Sequence, residues 1–131
     1  AGLADATIVN TYYLGLLVNS KSAADREVAA ALRLFFPNQN DRGTHVNVSG
    51  GGIVTHADNV EGAKKFLEFL ASDEAQSIFP ATSAEYPAVP SIKWSPMQQS
   101  WGEFKADDTP LSRVGELNAE AIRSFNLAGW E

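Results

Sequence analysis

"NTYYLGLL", residues 10–17, places two adjacent tyrosines directly after a short apolar run. The run predicts a short buried strand over residues 5–10, because it is apolar, partly β-branched and ends in a polar residue. Residues 11–17 predict a helix, since Thr11 can cap it and leucines three residues apart would share one face. The chain is therefore expected to turn from strand to helix at the tyrosine pair.

The tyrosine pair, Tyr12 and Tyr13, has two interpretations. Tyrosines pack well at such positions with their hydroxyl groups at the surface. Alternatively, both phenols face one cleft, which a strand-to-helix corner allows and a regular strand does not. Phenolate oxygens suit a hard cation such as Fe³⁺, and the metal would have to displace protons whose usual pKa is about 10. The residues alone leave both interpretations open.

Composition excludes several classes of function. The chain has 131 residues, of which 44% are hydrophobic and 20% charged, as in a globular protein. Its net charge of -6 argues against a nucleic-acid partner and against an anionic membrane surface. The absence of cysteine excludes disulfides and thiolate metal sites in this sequence. No apolar run approaches a membrane span and no signal peptide is visible, so any such segment is expected to be removed or to lie outside this sequence.

Further helices are predicted from capping residues and apolar periodicity. Four are expected: after Ser22, with Asp25 in the third position; after Asp58, with Glu61 completing a capping box; over residues 73–79, ending at Pro80; and from Thr109-Pro110 or Ser112 to Gly129. Residues 80–100 are expected to be mostly loop, because they contain four prolines.

Strand signals are few. "THVNVSG", residues 44–50, alternates apolar and polar side chains and predicts a half-buried strand. Short strands alternating with helices predict an α/β fold. Two or three strands are fewer than the four to six or so of a typical sheet, which indicates that the chain is part of something larger.

Other candidate chemistry is weak. The glycine run at residues 50–52 lacks the Gly-Lys-Ser/Thr ending of a phosphate loop. The histidines, His45 and His56, are not at a helical spacing and have no third nitrogen or sulfur ligand. No serine stands in a Gly-x-Ser-x-Gly frame. None of these patterns favours a catalytic or phosphate-binding function over a structural one.

Several long segments together resemble a known family. "ATIVNTYYLGLL" is similar to its twin-tyrosine segment, and "FFPNQNDRGTHVNVSGGGIVTHADN" to its return crossing between lobes. "AKKFLEFLASDEAQ", "EYPAVP" and "SWGEFKADDTPLSRVGELNAEAIRSFNLAGW" follow in the same order. The chain resembles the C-terminal part of bacterial periplasmic ferric-ion-binding proteins, the substrate-binding subunits of Fe³⁺ ABC transporters.

The resemblance implies an architecture. The family fold is the class II periplasmic-binding-protein arrangement, two α/β lobes joined by a hinge, and this sequence lacks its N-terminal part. Residues 1–42 and 94–131 would be segments of the C-terminal lobe, and residues 43–93 a segment of the N-terminal lobe. The missing N-terminal segment of the same protein would supply the remaining strands and ligands.

The resemblance also implies a site. Tyr12 and Tyr13 match the paired tyrosine ligands of the metal, and Asn10 matches a residue near its small synergistic anion, of carbonate or phosphate type. Tyr86 matches a position with a structural role. The protein would be a solute receptor and not an enzyme. The cargo would be Fe³⁺ and the partner an inner-membrane ABC permease. The location would be the periplasm, or a lipid-anchored position outside the cytoplasmic membrane.

Two alternatives remain. A binding protein of the same fold could carry an oxyanion, a polyamine or another small solute, and the tyrosines could then stack on an organic ligand instead of binding metal. A chain of this length could also be a stand-alone interaction domain or a hydrolase, which would require a complete sheet within the sequence.

Overall fold

The chain is helical over much of its length. A computed structural model describes residues 4–130, so the predicted segments that include residues 1–3 and 131 extend beyond the described residues. The helices in this range are α1 (Thr11–Val18), α2 (Ala23–Ala31), α3 (Val60–Leu70), α4 (Asp73–Thr82), α5 (Pro96–Ser100), α6 (Leu111–Glu116) and α7 (Asn118–Ala128). No helix in residues 4–130 combines the length and apolar character needed to cross a bilayer.

The helices are divided between two compact units. The first unit comprises the residues up to Phe35 together with Asn47–Glu103, and it contains α1 to α5. The second comprises Phe36–Val46 together with the residues from Phe104 onwards, and it contains α6 and α7. These units are clusters within one chain, whereas the predicted lobes are divisions of a complete protein, so the lobe boundaries at residues 42/43 and 93/94 stay a prediction.

The turn into α1 is as expected, but its cap is one residue earlier. Asn10, not Thr11, is the N-cap residue, with an extended backbone at φ −69° and ψ 142°. Its carbonyl accepts a hydrogen bond from the Tyr13 N–H at 3.1 Å. The Asn10 side chain makes no capping hydrogen bond. The chain therefore passes from extended to helical conformation immediately before the two tyrosines.

The predicted strands do not form ladders. Residues 5–10 are exposed and unpaired, so the prediction of a buried strand there is wrong for this chain. In the segment predicted as a half-buried strand, only Thr44 pairs, through an isolated parallel bridge to Ala106. Backbone N–H and C=O groups need partners, and no neighbouring segment among the described residues supplies a ladder at either place.

One of the two predicted N-caps, that of α2, is as expected, and the other, that of α3, is not. The start of α2 is confirmed, since the Ser22 side chain accepts from the Asp25 N–H. At α3 the cap is Asn59, which accepts from the Gly62 N–H at 2.8 Å, so the capping box predicted from the preceding aspartate is wrong. A capping bond is made by the residue that directly precedes the first helical residue, and at α3 this residue is Asn59.

Helix α4 also continues past Pro80, where it was predicted to end. Proline removes one intrahelical donor and clashes with the preceding turn, but here it lies in the last turn, where few bonds remain to be made. The Ser83 N–H still donates to the Phe79 carbonyl at 3.0 Å, which closes the helix three residues later.

The C-terminal helical region is broken, and a short helix interrupts the predicted loop. Helices α6 and α7 replace the single predicted helix and meet at Leu117. The predicted stop at Gly129 is confirmed, since this residue caps α7 with a left-handed φ of 65°. Helix α5 was not predicted; a capping box between Ser95 and Gln98 stabilises it.

The apolar core of the described residues is small. Its buried apolar side chains are Ala29, Ala75, Pro80 and Ala84, while many larger ones are exposed. Ile8 is 88% and Leu127 90% exposed. These small side chains bury far less apolar surface than a self-sufficient domain of this length needs. Within residues 4–130, many large apolar side chains thus remain exposed to solvent.

A carboxylate holds the second unit together. Asp107 accepts two hydrogen bonds from Thr109, at 2.9 Å from the N–H and 2.6 Å from the hydroxyl. Arg42 pairs with its other oxygen at 3.3 Å, and the Asp107 side chain is only 7% exposed. The Thr109 hydrogen bonds, followed by the charges of Arg42 and His45, lower the pKa of Asp107.

Replacing this carboxylate should remove acid-sensitive stability. The lowered pKa means that Asp107 stabilises the fold above the usual aspartate pKa of about 3.9 and stops doing so as the pH falls through its own lower value. We expect Asp107→Asn to lower the unfolding midpoint of the full-length protein at neutral pH and to flatten its decline in acid. Asp108→Asn, at the exposed neighbouring position, is the control. Equal pH profiles for the two variants would contradict this role.

Candidate metal-binding site

The structure brings the two candidate ligands side by side. The rings of Tyr12 and Tyr13 stack, with centroids 4.1 Å apart and planes inclined at 30°. Tyr12 is half-buried and Tyr13 is 49% exposed. Successive residues of a regular helix point about 100° apart, yet the rings of these two neighbours lie against each other in the first turn of α1. Both phenols are thus presented together at one end of a helix.

Tyr13 also affects how firmly Tyr12 holds its proton. A hydrogen bond with Tyr13 is the largest cause that raises the pKa of Tyr12, followed by burial and then by the charges of Tyr13 and Glu85. Without a cation, Tyr12 therefore holds its proton more firmly than a free tyrosine. A cation that binds both oxygens has to displace these protons, which links its affinity to pH.

Asn10 lies at the same helix end. It is exposed, and its side chain is not used as a cap. The first N–H groups of a helix have no intrahelical partners, and together with the helix dipole they favour an anion. The position of Asn10 is compatible with its predicted place near an accompanying anion.

A buried corner of the chain supports the helix that carries the tyrosines. Gly15 is buried three residues after Tyr12, so the two share one face of α1. A side chain at position 15 would collide with the Ala84 methyl group and crowd Met97. Ala84 itself is 2% exposed and has a left-handed φ of 58°. Sequence reasoning missed both residues, although a glycine inside a helix signals close approach.

Other ligand types do not gather anywhere in the described chain. Among residues 4–130, no group of three or more histidine, cysteine, aspartate or glutamate side chains is placed to hold a metal ion. His45 lies near Asp107 in the second unit, and His56 is exposed in a turn of the first. The third tyrosine, Tyr86, is half-buried and packs edge-on against Trp94, with centroids 4.9 Å apart. Burial raises the pKa of Tyr86 to about 12, in keeping with its predicted structural role.

Comparison with protein families defines the class. The family model for bacterial extracellular solute-binding proteins matches residues 1–77, more than half of the chain. The chain therefore belongs to the bacterial extracellular solute-binding protein family.

Its similarity to individual proteins is more specific. It is 46% identical to iron uptake protein A1 of a Synechocystis species over 131 residues, which is all of this chain and 36% of that protein. It is 35% identical to the major ferric iron-binding protein of Neisseria meningitidis serogroup B, over 98% of this chain and 37% of that protein. The chain thus spans little more than a third of the length of these relatives.

Solved structures of iron-binding proteins also match the fold of the chain. The Trichodesmium IdiA/FutA protein in complex with iron and citrate matches with a TM-score of 0.87 and 49% identity, over 94% of this chain and 39% of that one. The ferric binding protein from Campylobacter jejuni matches with a TM-score of 0.87 and 40% identity, over 95% of this chain and 39% of that one. The predicted partial class II fold is confirmed, and so is the resemblance to ferric-ion-binding proteins. The ligand roles of Tyr12, Tyr13 and Asn10 stay a prediction.

Proposed function

We propose that the full-length protein is a periplasmic receptor that binds Fe³⁺ and delivers it to an ABC importer of the inner membrane, and that it is not an enzyme. Tyr12 and Tyr13 bind the ferric ion as phenolates, and Asn10 helps to hold a synergistic anion of carbonate or phosphate type. The observation that carries the proposal is the stacked pair of phenols in the first turn of α1.

The chemistry of these groups supports a hard cation. Two adjacent phenol oxygens become two anionic oxygen donors once their protons leave, and trivalent iron prefers such donors. The iron-related names of relatives at 46% and 35% identity support the same cargo. Two donors leave most of the coordination of a ferric ion unfilled, so the remaining ligands come from the N-terminal segment and the anion.

The small core supports the need for that segment. The buried apolar side chains given for residues 4–130 are small ones, alanines and Pro80, and large ones such as Ile8 and Leu127 lie exposed. The remainder of the protein would cover part of this surface and complete the two lobes around a cleft. For the same reason, a stand-alone interaction domain is disfavoured, because it would have to bury its own core.

A receptor for another solute is the alternative. An oxyanion, a polyamine or another small molecule could occupy the site without displacing a phenol proton, and an organic ligand could stack on the rings of Tyr12 and Tyr13. Binding of iron releases protons from the phenols, whereas binding of such a solute does not. The pH dependence of the affinity therefore distinguishes the two cargoes.

Iron binding should weaken as the pH falls. Each phenol that binds iron releases one proton, so two phenols give a loss of up to about a hundredfold in apparent affinity per pH unit below their pKa values. The raised pKa of Tyr12 extends this dependence to higher pH than a free tyrosine would. The measurement is a titration of the full-length protein with ferric nitrilotriacetate at several pH values, following the phenolate-to-iron charge-transfer band and correcting for the chelator.

The same protein preparation tests the alternative. A calorimetric titration with spermidine in the absence of iron should give no saturable binding. Tight binding of spermidine, together with no charge-transfer band on addition of iron, would replace the ferric proposal with the alternative.

A further inference from the structure

A second charged group lies beside the tyrosine pair. The loop after α4 contacts α1 where Gly15 faces Ala84, on the face of α1 that also carries Tyr12. The next residue of that loop is Glu85, which is half-exposed. Its carboxylate is among the charges that act on Tyr12. A carboxylate that the sequence did not single out therefore lies on the loop that packs against the helix of the proposed ligands.

The loop that carries Glu85 is fixed by its neighbours. Ala84 is buried in a left-handed conformation that few non-glycine residues adopt. The fully buried side chain of Gln98 donates a hydrogen bond to the Ala84 carbonyl at 3.2 Å. Gln98 in turn accepts from the Ser95 N–H at 2.9 Å. Such over-determined backbone is typical of functional sites.

Two hydroxyl groups hold the carboxylate itself. Ser83 donates to one oxygen of Glu85 at 3.0 Å, and Ser49 donates to the other at 3.1 Å. Ser49 is 36 residues earlier in the chain, directly before the glycine run at residues 50–52. The two bonds fix the orientation of Glu85 while leaving it partly exposed, and each carboxylate oxygen retains capacity to accept more.

We infer that Glu85 is a positioning and selectivity residue of the tyrosine site, acting through Tyr12. This inference rests on the proposed function. A fixed negative charge on the loop that packs against α1 attracts a multivalent cation to the tyrosine site and repels an anionic solute. Outer-shell carboxylates also orient the groups that bind a metal and tune their electronic properties. Glu85 would thus favour a cation at a site whose helix end, taken alone, favours an anion.

Two substitutions separate the charge of Glu85 from its shape. Glu85→Gln keeps the size and removes the charge, whereas Glu85→Asp keeps the charge and shortens the side chain. In the full-length protein, we expect Glu85→Gln to weaken Fe³⁺ binding about 10- to 100-fold and to shift the charge-transfer band. Glu85→Asp should recover most of the affinity. The probe is ferric nitrilotriacetate, and the matched control is Glu68→Gln, which removes an exposed carboxylate from α3.

The outcomes distinguish this inference from the function on which it rests. If the unaltered protein gives no charge-transfer band, the proposed function fails. If it binds iron and Glu85→Gln binds with the same affinity and band position, the inference about Glu85 is wrong. A loss in Glu85→Asp that exceeds the loss in Glu85→Gln would show that shape matters instead of charge, and would also overturn it.

Discussion

Ferric-ion binding should be abolished when Tyr12→Phe and Tyr13→Phe are combined in the full-length protein, and the phenolate-to-iron charge-transfer band should disappear. Phenylalanine keeps each ring, so the stacking at 4.1 Å can persist while both donor oxygens are lost. Even outer-shell partners of a metal site change affinity about 10- to 100-fold, so each donor should be worth more than that.

The single substitutions and a control make this test sharper. Each single variant should retain a weaker band, because one phenolate remains. Tyr86→Phe removes the hydroxyl of the third tyrosine, which packs against Trp94, and should leave the band unchanged. A double variant that keeps both the band and the affinity would show that Tyr12 and Tyr13 are not the ligands.

The second large effect concerns the contact beneath the tyrosines. Gly15→Ala places a methyl group against that of Ala84, which is fixed on a buried corner and cannot move without the backbone. Overpacking costs about 1–3 kcal/mol, and alanine returns about 1 kcal/mol of helix propensity. We expect a net loss of up to about 2 kcal/mol in the free energy of unfolding, with weaker iron binding as α1 is displaced.

A compensating substitution gives the control. Ala84→Gly removes the opposing methyl group and suits the left-handed φ of 58° at that position. Combined with Gly15→Ala, it should restore both the unfolding midpoint in denaturant and the iron affinity. If Gly15→Ala alone is as stable as the unaltered protein, or if the combination rescues neither property, the contact does not support the site as described.

The sequence predicted the part of the site that depends on local chemistry. A polar cap followed by two tyrosines indicated a corner of the chain, and the structure has that corner at Asn10 with both rings together. The left-handed conformation of Ala84 has no signature in the residue type, and Glu85 lies on a loop more than 70 residues from Tyr12 in the sequence. Such contacts arise from tertiary packing, which periodicity does not encode.

The strands were the least predictable feature. Alternation in residues 44–50 describes which side of a strand would be buried, but a strand forms only where another segment pairs with it. In the described chain that pairing is one bridge, between Thr44 and Ala106. Helices were predicted better because their hydrogen bonds are internal to the segment, as at the Ser22 cap and the Gly129 stop.

The shortage of buried apolar side chains bears on how substitutions here should be interpreted. At a typical surface position a polar replacement is nearly neutral, and Ile8 and Leu127 look like such positions, at 88% and 90% exposure. In the proposed full-length receptor, the same side chains would belong to buried surfaces between segments. The effect of a substitution at these two positions would then depend on the packing of the complete receptor. Ile8→Ser or Leu127→Ser would reduce its function, although both side chains are exposed in this chain.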